Sequence, residues 1–137
     1  MLYYSKHADY LGRAFGASLD AMTERLRDIL TDASGPGHVD TFVGTGLSGA
    51  LVVPTLARAL GRHWAIVRKQ DGSHSSRRIE GEIGERWLFI DDFIEGGATL
   101  HRVREAVELH ASGTKWVGTF EYEKDTYRPI TYLSRVW

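Results

Sequence analysis

The apolar residues near the amino terminus recur at steps of three and four along the chain. Between Asp9 and about Thr31 they fall at Leu11, Phe15, Leu19, Met22, Leu26, Ile29 and Leu30. This spacing places them on one face of an amphipathic helix. Ser5 or Asp9 is suited to cap its start, and the glycine- and proline-rich segment 34–37 is expected to end it.

After this helix, short apolar runs alternate with segments of helical spacing. Strands are predicted at residues 39–43, 64–68, 87–91 and 115–120, and helices at residues 50–60 and 99–110. Strands that alternate with helices predict right-handed crossovers and a mostly parallel sheet. We therefore expect a three-layer α/β fold with helices on both faces of the sheet, in a single domain that spans residues 1–137.

Three parts of the chain do not fit this simple alternation. Pro54 lies within the helical segment 50–60, so the helix is expected either to begin near Val53 or to have a loosened turn before the proline. Residues 70–84 are polar and contain glycine, which predicts a long loop of the kind that often serves as a lid. Residues 121–129 are expected to form an irregular polar and aromatic loop, and residues 132–137 are a candidate for one last edge strand.

The overall composition excludes several classes of function. Of the 137 residues, 42% are apolar and 26% are charged, and the formal net charge is -1, which argues against nucleic acid or a membrane surface as a partner. Disulfides and thiolate metal sites are excluded because the chain has no cysteine. No apolar run approaches the ~20 residues that span a bilayer, and the amino terminus lacks a secretion signal. These features predict a soluble, cytoplasmic protein.

The strand at residues 87–91 leads into the most informative segment of the chain. It ends in Asp91 and Asp92, and a turn of small residues at 96–99 then leads into the next helix. The carboxylates are suited to hold sugar hydroxyls or a metal ion, and a glycine turn before a helix presents backbone N–H groups to a phosphate. The alternative is a strand-to-helix turn in which the aspartates only cap the helix.

Two other strands end in residues suited to bind anions. The strand at 39–43 is followed by the glycine loop 44–49, which serves either to bind phosphate or to allow close packing of strand and helix. The strand at 64–68 ends in Arg68 and Lys69. Ligands of such sheets bind beyond the carboxyl ends of the strands, so we expect these loops and the aspartates to meet there.

Residues 88–99 resemble the phosphoribosyl-pyrophosphate binding motif of type I phosphoribosyltransferases. In that motif a hydrophobic strand is followed by two acidic residues, two apolar residues, a small or acidic residue and a turn rich in glycine and threonine. The resemblance extends over about residues 39–120 and, in its loops, is closest to the orotate branch. It implies that fold with a small hood, for which residues 1–38 and 121–137 are the candidates.

The resemblance implies specific roles for the central motif. Asp91 and Asp92 would bind the ribose hydroxyls, directly or through Mg²⁺, and would take part in catalysis together with Glu95 and Lys69. Glu95 is the candidate general base. The 5′-phosphate would be bound by Glu95, Gly96, Gly97, Ala98 and Thr99. Gly96 is a departure from the family, which usually has a hydroxyl residue there.

The resemblance also implies a pyrophosphate site. Its residues would be Thr45, Gly46, Leu47, Ser48, Gly49, Arg68, Lys69 and His74, with a cis peptide bond expected between Leu47 and Ser48. A second departure lies in the loop, because the orotate branch has a catalytic lysine two residues before the histidine and this chain has Gly72. Arg77 and Arg78 either supply the missing cation or are ordinary surface charges.

Recognition of the acceptor base is the least defined part. The resemblance implies a hood and an aromatic residue that stacks on the base, for which Phe120 and Tyr122 are the stacking candidates and Tyr3, Tyr4 and His7 the hood candidates. The alternative is that all of them are packing or surface residues.

The function implied by the resemblance is a Mg²⁺-dependent phosphoribosyltransferase. It would transfer the phosphoribosyl group from phosphoribosyl pyrophosphate to a nucleobase or related nitrogen heterocycle, and it would be a homodimer. One alternative is a regulatory protein that binds phosphoribosyl pyrophosphate or a nucleotide without turnover. Another is a relative whose pocket binds a different phosphate ester.

Overall fold

The computed structural model describes residues 15–69, 78–94 and 96–130. In chain order its elements are α1 (Phe15–Thr31), β1 (Thr41–Thr45), α2 (Gly46–Leu60), β2 (His63–Val67), β3 (Ile79–Gly81), β4 (Arg86–Asp91), α3 (Ala98–His110), β5 (Lys115–Glu121) and β6 (Thr126–Arg128). The first predicted helix is confirmed from Phe15 onward, and its proposed start lies outside the described residues. The four predicted strands and the last helix are confirmed, with ends that differ by two residues or fewer.

The strands form one sheet in the order β3-β2-β1-β4-β5-β6. The four central strands are parallel, whereas β3 pairs antiparallel with β2 and β6 pairs antiparallel with β5. The prediction of a mostly parallel sheet is therefore confirmed. β3 and β6 were not predicted, because β3 lies in the segment 70–84 and β6 in the segment 121–129, both expected to be loops. The edge strand expected at residues 132–137 lies outside the described residues.

The core is divided between the two faces of the sheet. On one face, α1 and α2 pack through Leu26 and Leu56 onto strand residues that include Phe42 and Ile90. On the other face, α3 packs through Leu100 and Val103, among others, onto the alternate strand residues. Successive residues of a strand point to opposite faces, so a strand covered on both sides must be apolar throughout. The three-layer arrangement is confirmed.

Helix α2 begins earlier than the sequence predicted. It starts at Gly46, directly after β1, so residues 46–49 form its first turn and Pro54 lies in its interior. The expectation of a helix that begins near Val53 is wrong, because α2 runs from Gly46 through Pro54 to Leu60. Proline removes one hydrogen bond of a helix. The burial of Val52, Val53 and Leu56 against the sheet compensates for that loss.

Within the described residues, no helix has both the length and the apolar character needed to cross a membrane.

Candidate active site

The site lies where the order of the strands reverses. From β1 the chain crosses to β2 on one side and later returns to β4 on the other side of β1. Ligands of open α/β sheets bind at such a reversal, beyond the carboxyl ends of the two strands. A cleft of about 490 Å³ lies there, lined by Thr45, Gly46, Leu47, Ser48, Lys69, Asp91, Asp92, Phe93, Ile94, Gly96, Gly97, Ala98, Thr99 and Leu100.

The first wall of the cleft is the junction of β1 and α2. Thr45 precedes the helix, but its buried hydroxyl donates a hydrogen bond to the Val67 carbonyl (2.6 Å) and does not cap α2. Gly46 has a φ of 68°, a conformation that favours glycine. The first-turn amides of a helix have no acceptor within it. The turn from Gly46 to Ser48 therefore presents uncapped backbone donors to the cleft.

The expected cis peptide bond between Leu47 and Ser48 is wrong. Every peptide bond among the described residues is trans. Leu47 and Ser48 belong to the first turn of α2, and a helical hydrogen-bond pattern is built from trans peptides.

Gly49 has a packing role. It is buried and does not line the cleft. A Cβ atom on Gly49 would lie 2.9 Å from the Gly44 carbonyl carbon, and one on Gly44 would lie 2.7 Å from Val53 Cγ2. The two glycines therefore let α2 approach β1 closely, which was the packing alternative for this loop, and Gly49 is not placed to contact pyrophosphate.

Of the two cations at the end of β2, only Lys69 reaches the cleft. A Cβ atom on Gly46 would lie 3.3 Å from Lys69 Cε and 3.7 Å from Nζ, so the lysine side chain lies against the first wall. The Arg68 guanidinium is 3.6 Å from a Glu80 carboxylate oxygen at the sheet edge. Arg78 lines a different groove, beside α3. His74, Gly72 and Arg77 lie outside the described residues.

The second wall begins with the two aspartates at the end of β4. Asp91 is 8% exposed, and its Oδ1 accepts a hydrogen bond from the Asp92 amide (3.0 Å). Asp92 Oδ1 in turn accepts a hydrogen bond from the Phe93 amide (2.9 Å). The backbone therefore orients both carboxylates at the cleft, where paired acids suit polyol hydroxyls or a hard cation.

The turn before α3 completes this wall. Gly97 is the residue before the helix, with a φ of 87°, and as a glycine it has no side chain that could cap α3. The first-turn amides therefore face the cleft as a second set of uncapped donors, together with Thr99. Within the part of the chain that the structure describes, a Cβ atom at Gly96 would have no neighbour within 4 Å, so the space does not require glycine there. Glu95 lies outside the described residues, and its proposed roles stay predictions.

Phe120 and Tyr122 are not part of the cleft. They are 0% and 5% exposed and belong to the core beneath α1 and α2. The strand alternation turns both side chains to that face. Their proposed stacking on a base is therefore not supported, and the packing alternative applies. Tyr3, Tyr4 and His7 lie outside the described residues.

Glu121 and Arg128 were not predicted from the sequence. Glu121 is fully buried at the end of β5, where its Oε1 accepts a hydrogen bond from the Ile94 amide (2.7 Å) and its Oε2 is paired with Arg128 Nε. Both lie in the region expected to start or form an irregular loop. A carboxylate that ends an apolar strand, with an arginine seven residues later, was the available signal for a paired hairpin.

The aspartates are a partial match to a magnesium site. Among the described residues there is no cluster of three or more histidine or acidic side chains suited to hold a metal. Two carboxylates are enough for Mg²⁺ only when substrate phosphates and water supply its other ligands, which is the usual arrangement for this ion. The residues present fit a metal that arrives with a polyphosphate substrate.

Comparison with known proteins supports the resemblance inferred from the motif. No family model matches the chain. The orotate phosphoribosyltransferase of Pelotomaculum thermopropionicum is 32% identical over 82 residues, which cover 59% of this chain and 43% of that protein. The chain therefore spans less than half the length of this relative.

Solved structures with the same fold include enzymes for two different bases. Adenine phosphoribosyltransferase from Saccharomyces cerevisiae, complexed with an imino-altritol bisphosphate and adenine, matches with a TM-score of 0.61 and 21% identity over 82% of this chain and 76% of that chain. Orotate phosphoribosyltransferase from Aeropyrum pernix matches with a TM-score of 0.58 and 17% identity over 85% and 63%.

Adenine phosphoribosyltransferase from Leishmania donovani has a TM-score of 0.61 and 18% identity over 85% of this chain and 56% of that chain. At these identities the structural matches establish the fold. In its fold, and over 82 residues of sequence, the chain is therefore similar to the type I phosphoribosyltransferases.

Proposed function

We propose that this chain is a phosphoribosyltransferase that transfers the phosphoribosyl group of phosphoribosyl pyrophosphate to a nucleobase or related nitrogen heterocycle. The observation that carries the proposal is the meeting of three strand ends in one cleft. The first turn of α2, Lys69, and the segment from Asp91 to Thr99 all line it. Two uncapped helix starts and a lysine suit a substrate with phosphate at both ends, and two carboxylates suit the ribose between them.

The two walls would then bind different parts of the substrate. The turn from Gly96 to Thr99 would bind the 5′-phosphate through its amides and the Thr99 hydroxyl. Asp91 and Asp92 would accept hydrogen bonds from the ribose hydroxyls. Lys69 and the first turn of α2, from Gly46 to Ser48, would bind the pyrophosphate. The ribose would then span the cleft with its C1 atom between the two walls.

The reaction breaks the bond between C1 and the pyrophosphate oxygen, and the bonding electrons leave with pyrophosphate. A ring nitrogen of the base forms the new bond to C1, and its proton passes to a general base, for which Glu95 is the candidate. Lys69 would stabilise the leaving group by its charge. Most of the rate enhancement would come from this positioning and from charge stabilisation.

We propose Mg²⁺ as the cofactor, held by Asp91 and Asp92, directly or through water, together with substrate oxygens. When bound, it would neutralise part of the pyrophosphate charge. Affinity for phosphoribosyl pyrophosphate is expected to rise when Mg²⁺ is added to metal-free protein. Equal affinity with and without the metal, measured by calorimetric titration, would argue against this role.

The decisive test of turnover is the exchange of isotope-labelled pyrophosphate into phosphoribosyl pyrophosphate in the presence of single bases. Orotate and adenine are the first two candidates, because the proteins similar to this chain act on them. Exchange with one base and not with the others identifies the acceptor. Tight binding of phosphoribosyl pyrophosphate without exchange under any base favours the second candidate function, a binding protein without turnover.

One observation favours that second candidate. Both aromatic residues expected to stack on a base are buried in the core, and Phe93 is the one aromatic residue among the described residues that line the cleft. A Glu95→Gln variant adds a further test, because a general base affects turnover more than substrate binding. Equal losses in kcat and affinity would remove Glu95 from this role.

We also propose, from the resemblance, that the protein is a homodimer and is located in the cytoplasm. Sedimentation equilibrium of the purified chain tests the first statement. Fractionation of the source cells tests the second.

A further inference from the structure

A buried carboxylate lies behind the wall of the cleft that carries the aspartates. Glu121, the last residue of β5, is 0% exposed and does not line the cleft. Its Oε1 accepts a hydrogen bond from the backbone amide of Ile94 at 2.7 Å. Ile94 is the last described residue before Glu95 and the turn from Gly96 to Thr99. The side chain is therefore bonded to the backbone that leads into the proposed phosphate-binding turn.

Backbone hydrogen bonds also join the residues that follow β5 to the two aspartates. β4 and β5 are paired up to Asp91 and Glu121. Beyond that pair, the Tyr122 amide donates to the Asp91 carbonyl and the Glu123 amide donates to the Asp92 carbonyl, both at 3.0 Å. Residues 121–123 therefore fix the backbone positions of residues 91, 92 and 94. Of these three contacts, only the one made by Glu121 depends on a side chain.

The Glu121 carboxylate is itself held by β6. Arg128 Nε is paired with Glu121 Oε2, and the Arg128 side chain is 21% exposed. The register pairs Thr119 with Arg128 and Glu121 with Thr126, so Glu121 and Arg128 are diagonal neighbours on one face of the hairpin. A fully buried carboxylate is tolerated when it is paired and hydrogen-bonded, and both conditions are met here.

We propose that Glu121 is a positioning residue for phosphoribosyl-pyrophosphate binding. It holds the Ile94 backbone and thereby fixes the position of the turn from Gly96 to Thr99 relative to the two aspartates. Arg128 pairs with the carboxylate in its buried place. This inference rests on the proposed function, because the turn that Glu121 holds is the one assigned to the 5′-phosphate.

The test compares three variants of the full chain. Glu121→Leu removes the acceptor for the Ile94 amide. Glu121→Gln keeps an acceptor oxygen there but loses the charge. Arg128→Met breaks the same ion pair and leaves the bond between Glu121 and Ile94 in place, so it is the matched control for the loss of stability. Two quantities are measured for each variant: the affinity for phosphoribosyl pyrophosphate with Mg²⁺ and the hydrogen exchange rate of the Ile94 amide.

For Glu121→Leu we expect the affinity to fall by about tenfold to a hundredfold, as when outer-shell partners of binding groups are removed. We also expect faster exchange of the Ile94 amide. Glu121→Gln should restore most of both properties, and Arg128→Met should retain slow exchange and bind more tightly than Glu121→Leu. If Glu121→Leu and Arg128→Met lose affinity equally, or if Ile94 exchanges at the wild-type rate in Glu121→Leu, the proposal is overturned.

The exchange measurement separates this inference from the proposed function. A wild-type protein that does not bind phosphoribosyl pyrophosphate would contradict the proposed function. The exchange of the Ile94 amide in the three variants, measured without ligand, would still decide whether Glu121 holds the turn. If Glu121→Leu fails to fold, Glu121→Met, which also lacks the acceptor oxygen, takes its place. If Arg128→Met fails to fold, the neutral Arg128→Gln takes its place, and the same two readouts apply.

Discussion

The two ends of the parallel sheet both carry aspartates, but their surroundings differ. At the amino end, Asp40 accepts hydrogen bonds from the Thr41 hydroxyl (2.7 Å) and from the backbone amides of Glu85 (2.9 Å) and Arg86 (3.2 Å). At the carboxyl end, Asp91 and Asp92 border an open cleft of about 490 Å³. The acid at the amino end is surrounded by donors of the chain itself, whereas the acids at the carboxyl end adjoin space for a ligand.

The glycines at the two ends differ in the same way. A Cβ atom on Gly84, at the amino end, would lie 2.4 Å from Asp40 Oδ1. One on Gly96, at the carboxyl end, would have no neighbour within 4 Å among the described residues. Close packing around satisfied polar groups stabilises a fold. Open space beside oriented polar groups permits binding. The amino end is therefore suited to stabilise the fold, and the carboxyl end is suited to bind a ligand.

The largest expected effect is on binding, from the double variant Asp91→Asn and Asp92→Asn. Hydrogen bonds to charged groups contribute about 1.5–3 kcal/mol each. Affinity for phosphoribosyl pyrophosphate should therefore fall by a factor of about a hundred or more. The folded state should persist, because each asparagine keeps an oxygen for the backbone amide that its aspartate binds. Calorimetric titration and thermal unfolding measure the two properties, and unchanged affinity would remove the aspartates from the site.

The opposite result is expected for Asp40→Asn. This change weakens the hydrogen bonds from Thr41, Glu85 and Arg86, and it should lower the free energy of unfolding by about 1–3 kcal/mol. Affinity for phosphoribosyl pyrophosphate should stay at the wild-type value. Urea denaturation measures the loss of stability. Weaker ligand binding in this variant would contradict the division of roles between the two ends.

The contribution of Asp40 should also depend on pH. Burial acts to raise the pKa of Asp40, but the hydrogen bonds from Thr41, Glu85 and Arg86 and the nearby His38 outweigh it, and the pKa lies below its ordinary value of 3.8. A carboxyl with a lowered pKa in the folded state stabilises the protein above its unfolded pKa, and this stability is lost as the pH falls through the folded pKa. The difference in unfolding free energy between wild type and Asp40→Asn should therefore be constant near neutral pH and shrink below about pH 4. A difference that stays constant down to pH 2 would contradict this linkage.

A further loss of stability is expected for Gly84→Ala. The added methyl group would clash with the Asp40 carboxylate, which accepts hydrogen bonds from three donors. The Asp40 side chain can therefore move away only if those hydrogen bonds break. Overpacking of this kind costs about 1–3 kcal/mol. Asp40→Asn combined with Gly84→Ala should cost less than the sum of the two single changes, because both act on the same network. Additive losses would show that the glycine acts independently.

The smallest effect is expected for Gly96→Ala, the matched change at the carboxyl end. The methyl group enters open space, so the free energy of unfolding should change by less than about 0.5 kcal/mol. Gly96→Thr, which introduces the hydroxyl that the related family usually has there, should retain stability and strengthen phosphate binding. A large destabilisation in either variant would show that this turn is not open.

The edges of the sheet were the least predictable part of the fold. β3 and β6 have three residues each, which is too short for a period of alternation to be recognised. They become strands because β2 and β5 offer unpaired backbone groups beside them. Glu121 was missed for the same reason, since its partner Arg128 is known only when the hairpin is known.

The local pattern of the chain determined the central strands, the last helix and the segment that ends in Asp91 and Asp92. The regular spacing of apolar residues and a strand that is followed by aspartates and glycines are local features, so a single sequence shows them. Only the tertiary structure decided whether a given side chain lies in the cleft, at the edge of the sheet or in the core. It placed Lys69 in the cleft and Arg68 at the sheet edge, and it buried Phe120 in the core. The physical reason is that these assignments depend on the pairing of strands distant in sequence.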